Sequence, residues 1–426
     1  MSLTAGTPTP PGGDHPPGGV HTPHLRRNLS LTLVTLYGLG TTIGAGIYVL
    51  VGKVAGVAGL LAPASFLVAM VITAFSALCF AELASRYPRS AGEALYVAEG
   101  LRSPFLSLAV GLLVVLAGVV TSATVTHGFV GYLAELLPVP KVATIVGTIT
   151  LLVLLAIWGI KQAVIVAGAL TVLEIAGLLL ALWIGRDAFG ALPEALPAMI
   201  PTGERAALIG LLMGTVLAFF AFIGFEDLAN VAEEVRHPRT TLPWAIALTL
   251  VVTTVLYITV TIVMVLSIPL PELGASDAPL ALLFECRPDL PPEIITLISL
   301  LSIVNGALIQ IIMASRMLYG LGVMGRLPAI LGRVHPRTHT PVVATITVGV
   351  LIIAFALAAP ILTLAQITSF IVLLIFFLVD LALMQMKMRR HHAPADVFSV
   401  PAWVPMVGAA ACFAMLVFQA LEFLFV

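Results

Sequence analysis

The residues of this chain best placed to do chemistry are a few carboxylates and glycines set inside long apolar runs. Glu174 lies in Ala169–Ala176, and Glu226 and Asp227 follow Gly224 directly. Acids surrounded by hydrocarbon are costly and default to a functional role, because they can take up a proton, hold a cation or cap an interrupted helix. A different chemistry comes from Gly38-Leu39-Gly40-Thr41-Thr42-Ile43-Gly44-Ala45-Gly46-Ile47. Each glycine there lowers helix propensity in a stretch whose flanks are apolar enough for lipid. Unwound backbone at membrane depth survives only where it packs in protein or lines a cavity. A half-helix starting near Gly46 would aim free N–H groups and a positive dipole end into that cavity. This is a receptor for a carboxylate.

The elements that must position these groups follow from composition. The chain has 426 residues, 60% hydrophobic and only 10% charged, with a mean hydropathy of +1.12. A soluble globular domain carries about a quarter charged residues, so the chain reads as an all-α polytopic membrane protein. Eleven apolar runs are long enough to cross a bilayer: 30–56, 60–86, 104–136, 141–158, 162–185, 207–234, 241–268, 293–322, 340–358, 362–387 and 402–425. Of the 20 Lys and Arg, fifteen fall on one set of alternate ends and five on the other. The expected topology therefore has a cytoplasmic N-terminus and, after eleven spans, an external C-terminus. The net charge of −1 argues against a nucleic-acid partner. Residues 1–28 read as a disordered cytoplasmic tail. The acidic loop after the seventh span carries an apolar centre, Pro279 to Phe284, which reads either as a short helix or as solvated loop.

The sixth span holds a second interruption, Phe220-Ala221-Phe222-Ile223-Gly224-Phe225-Glu226-Asp227. One break alone is as well explained by a glycine that lets two helices approach closely. Two breaks, each opening a group of five spans, imply inverted repeats with a site between them. The expected units are a tail (1–28), a first five-helix repeat (29–195), a second, inverted one (196–390) and an additional eleventh helix (391–426).

Several motifs then carry a resemblance: Gly40–Leu50, Phe80–Glu93, Phe222–Glu226, Ala232–Pro238, Ser276–Ala281, Ala314–Tyr319 and Gly332–Pro341. Their order and spacing resemble the amino acid–polyamine–organocation transporters with the LeuT-type fold, from about Leu29 to the end. The resemblance implies a secondary carrier that binds an amino acid between the first and sixth spans. Its carboxylate would meet the backbone N–H groups of Ala45, Gly46 and Ile47. Its ammonium would meet carbonyls of Thr42, Ile43, Phe220 and Ile223. Phe220 falls where the family places an aromatic gate, Phe225 lies along the pocket wall, and Glu226 matches an acidic position linked to gating. Many relatives have twelve spans, which puts the family's oligomer interface in doubt here. Several proton-coupled relatives have lysine where Glu174 aligns. A glutamate cannot replace a sodium ion as an ammonium does, but it can carry a proton or help bind a cation.

Other polar groups have two readings each. Glu174 is either a coupling carboxyl or a hydrogen-bonded interhelical acid. Glu226 either gates or caps the break, and Asp227 either joins it or points away. Ser302 and Asn305 either face an ion site or act as polar glue. Glu82 reads as an ion-pair partner of a loop arginine, and His127 as a hydrogen-bonded or a titrating group. No ligand spacing for a metal stands out, and no GxxxxGK[ST] loop, HExxH or nucleophile–base pair appears. The expectation is a carrier in the cytoplasmic membrane, proton-coupled or exchanging, with no cofactor beyond H+. The alternatives are an amino-acid-sensing transceptor without net flux and a polyamine or cationic amino acid antiporter.

Overall fold

A computed structural model describes residues 29–44, 46–89, 92–158, 163–285, 291, 293–336, 338, 340–389 and 397–425. The expected tail, Ala45, Cys286 and the His391-His392 pair lie outside the described residues. The described residues form sixteen α-helices, in order α1 (Leu31–Ile43), α2 (Gly46–Ala58), α3 (Ala62–Arg86), α4 (Gly92–Leu101), α5 (Pro104–Leu136), α6 (Lys141–Trp158), α7 (Ala163–Ile184) and α8 (Leu192–Ala195). They continue with α9 (Arg205–Ala221), α10 (Pro238–Ser267), α11 (Leu270–Ala275), α12 (Pro279–Glu285), α13 (Glu293–Val323), α14 (Val342–Ala358), α15 (Ile361–Met388) and α16 (Trp403–Phe425). A 3-10 segment, Phe225–Glu234, continues α9 after a turn. The acidic loop after the seventh expected span therefore does contain a helix, α12.

Eight helical stretches among the described residues are long and apolar enough to cross a membrane, and Lys141–Ile157 and Val342–Ala358 are shorter apolar helices. Their faces are sorted opposite to those of a soluble protein. On α10 the polar side chains Thr249, Thr253 and Tyr257, one turn apart, are fully buried, while Val251 and Val255 are about 60% exposed. Thr253 returns its hydroxyl hydrogen to the Thr249 carbonyl one turn back at 2.8 Å, whereas Thr249 Oγ1 is buried without a partner. Burial of polar groups inside an apolar shell is what a hydrocarbon solvent selects.

The interior is built around α1, α2, α9 and the 3-10 segment, flanked by α3, α5, α7, α10, α13 and α15. At one end Glu82 of α3 is fully buried and pairs with Arg86 and with Lys387 of α15, the latter at 2.8 Å. Glu82 also accepts the Val400 N–H at 2.7 Å, which ties the segment before α16 to the same carboxylate. The ion pair read from sequence is present, but its arginine, Arg86, lies in the last turn of α3 rather than in a loop, and Lys387 of α15 adds a second cation.

Candidate functional site

Both interruptions are present, and the fold sets them against each other. α1 ends at Gly44, where φ and ψ of −22° and −93° leave the helical region, and α2 resumes at Gly46. The helix of the sixth span ends at Ala221 and turns through Gly224, whose φ of +125° suits only glycine. Contact between the breaks is backbone on backbone. A methyl built on Gly46 would lie 2.5 Å from the Ala221 Cα, and one on Gly224 would lie 2.5 Å from the Thr41 carbonyl oxygen. Two side chains stitch the pair together. Thr41 Oγ1 donates to the Gly224 carbonyl at 2.9 Å. The Tyr257 hydroxyl of α10 lies 2.7 Å from the Thr42 carbonyl and 2.9 Å from that of Ala221.

Thr42, Ile43, Gly46, Ile47, Phe220 and Ile223 are all buried around this junction. The carbonyl of Thr42 already meets Tyr257, and that of Phe220 accepts the Ile223 N–H at 3.2 Å. The Phe220 carbonyl is also met by the Phe222 N–H. The Phe225 ring packs edge-on to Phe80 and Phe376, at centroid distances of 5.7 and 5.3 Å. Glu226 turns back and accepts the Gly224 N–H at 2.8 Å, so it caps the second break. Asp227 accepts from Gln310 of α13 at 3.2 Å.

On another side of the first break α7 comes close, because Gly40 leaves room for Thr171. Three residues on, Glu174 is 1% exposed. Its Oε1 accepts from Asn305 at 3.1 Å, whereas Oε2 has no partner. Ser302, one turn before Asn305, donates to the carbonyl of Gly44 at 2.8 Å, and the Tyr48 hydroxyl donates to the Glu174 carbonyl. The sequence-derived coupling residue and ion-site residues thus converge on one break, with one carboxylate oxygen left unmet. Among the described residues no cluster suited to a metal ion occurs.

A family profile described as "Amino acid permease" matches residues 29–424, nearly the whole chain. The chain belongs to this family. This permease is 30% identical over 406 residues to "Cationic amino acid transporter 4, vacuolar" of Arabidopsis thaliana, covering 88% of its own length and 65% of that relative's. It is 29% identical over 413 residues to the branched-chain amino acid permease of Bacillus subtilis, with 92% and 87% of the two chains covered. It is 28% identical over 410 residues to the "Methylthioribose transporter" of the same bacterium, with 91% and 87% covered. The permease is a multi-pass membrane protein of a transporter family, and its relatives are carriers rather than enzymes.

Sequence reasoning missed Tyr257, Thr41, Gln310 and Glu93. Tyr257 lies on a stripe of polar side chains four residues apart, Thr249, Thr253, Tyr257 and Thr261, which marks a buried face but not the hydroxyl's partners.

Proposed function

We propose that this permease is a secondary active transporter of amino acids in the cytoplasmic membrane, working by alternating access. The observation that carries the reading is the face-to-face pair of helix interruptions at Gly44–Gly46 and Phe222–Gly224. A zwitterion at mid-bilayer needs donors at one pole and acceptors at the other. Free N–H groups at the start of α2 would take its carboxylate, and carbonyls of Thr42, Ile43, Phe220 and Ile223 its ammonium. Ala45, Gly46 and Ile47 are the proposed donors, Phe220 the proposed gate and Phe225 part of the wall.

The stretch Leu31–Arg86 has 56 residues, enough for two crossings at about 20 residues each. Counted so, with the two shorter apolar helices included, the spans number eleven. We read them as two inverted five-helix repeats, 29–195 and 196–390, with a further helix after them, an N-terminus in the cytoplasm and a C-terminus outside. The unmet Glu174 oxygen beside Ser302, Asn305 and Gly44 supports proton coupling through Glu174, either as symport or by driving exchange. The substrates named for its relatives are cationic and branched-chain amino acids and methylthioribose. The small and apolar neighbours of the junction favour neutral amino acids. Glu226 and Asp227 would suit a cationic one.

Counterflow tests this. Purified permease in proteoliposomes preloaded with unlabelled amino acid should accumulate the labelled form without any ion gradient. Binding without flux across the twenty amino acids would replace the carrier with a sensor.

A further inference from the structure

Beside the second break lies a cavity of about 30 Å3, lined by Glu93 of α4, Thr121 of α5, Ile223, Glu226 and Asp227 of the sixth span, and Gln310 of α13, among others. Among the described residues no Lys, Arg or His lines it. All three carboxylates are buried, at 1%, 8% and 4% exposure for Glu93, Glu226 and Asp227. Glu226 is met by the Gly224 N–H and Asp227 by Gln310, but Glu93 Oε2 has no partner. Three buried acids sharing a space that no described cation lines cannot all be ionised. The space must therefore take up positive charge.

Its lining and geometry say which. The cavity has room for water, and among the described residues no ammonium, guanidinium or imidazole side chain lines it. Among the described residues no three acidic, His or Cys side chains converge closely enough for a metal ion. We propose that Glu93, Glu226 and Asp227 form a shared proton-binding site at the second break, distinct from Glu174, and that Glu93 is its unpaired acceptor.

Among the described residues the elements packed around Glu93 offer it no free cation. On α4 it faces the buried Tyr96, while Glu99 is exposed. From the 3-10 segment it faces Glu226 and Asp227; the side chains of Glu233 and Glu234 lie outside the described residues. On α5 the ionisable residues are His127, Tyr132 and Glu135, past the cavity-lining Thr121. On α15, Lys387 is held by Glu82, Arg389 donates to the Gly100 carbonyl at 3.1 Å, and Asp380 is met by Ser76. Arg316 of α13 is exposed. Burial pushes the Glu93 carboxyl, in the short helix between spans, up to about 7.

The site deepens the transport reading, but its test does not depend on flux. Infrared difference titration of the full chain in lipid nanodiscs, from about pH 5 to about pH 9, follows the protonated-carboxyl stretch. Glu93→Gln and Asp227→Asn should each cause loss of amplitude in that band, and the double variant should lose less than the sum, because the protons are shared. If Glu93→Gln unfolds, Gln310→Leu should still shift the band by removing the donor to Asp227. A titration in Glu93→Gln indistinguishable from wild type would overturn the proposal. So would a band erased by sodium chloride but not by choline chloride, since the ligand would then be a metal cation. Counterflow on the same wild-type sample separates the two readings, because its absence counts against the carrier and leaves the titration standing.

Discussion

Asn305 donates to one oxygen of Glu174 at 3.1 Å and leaves the other buried with no partner. An amide can be satisfied by either a charged or a neutral carboxyl, so this pairing holds the side chain in place without fixing its proton. Glu174→Gln should therefore keep counterflow near the wild-type rate and abolish accumulation driven by a pH gradient. The two assays on one proteoliposome preparation decide it, and undiminished proton-driven uptake would remove Glu174 from coupling.

Gly46→Ala is expected to weaken substrate binding at least tenfold, about 1.4 kcal/mol. Its methyl would meet the Ala221 Cα at 2.5 Å, which forces the breaks apart and misaligns donors and acceptors. Thermal-shift titration with the best-bound amino acid measures this, and an unchanged midpoint would mean that the carboxylate binds elsewhere.

Tyr257→Phe keeps the ring packed between Phe66 and Phe222 but withdraws the hydroxyl shared by two carbonyls. Leaving buried acceptors unmet costs about 1–3 kcal/mol. The variant should melt earlier and exchange more slowly, read by scanning fluorimetry and counterflow. An identical melting curve would show that water replaces the hydroxyl without loss.

Glu93 predicts a pH dependence of stability. Its carboxyl is near 4.5 when exposed and pushed up to about 7 in the fold, so across that window the folded chain holds a proton that the unfolded chain has released. Stability from this residue therefore falls as pH rises from the lower value through the upper. Glu93→Gln should flatten that part of the melting profile, and a slope equal to wild type would contradict it.

The two breaks were legible because a glycine gains little in an apolar helix, so Gly44, Gly46 and Gly224 announce an irregular backbone. Glu174, Ser302 and Asn305 were legible singly as costly polar groups, but only folding brings α7 and α13 to the same break. Glu226 had two readings from sequence, and the fold adds the Gly224 N–H that it caps. Tyr257 escaped notice because its partners lie 215 and 36 residues away, and nothing local in the span reports such pairings. Glu93 escaped for a different reason. It sits in a short connecting helix, where acids are usually solvated, and the fold packs that helix against α5 and α15.

The phenol of Tyr257 owns a single hydrogen yet stands within reach of two oxygens, one from each interrupted rod. It can serve only one fully at a time. A shift that lengthens one of these two distances leaves the hydrogen with the carbonyl of the other rod.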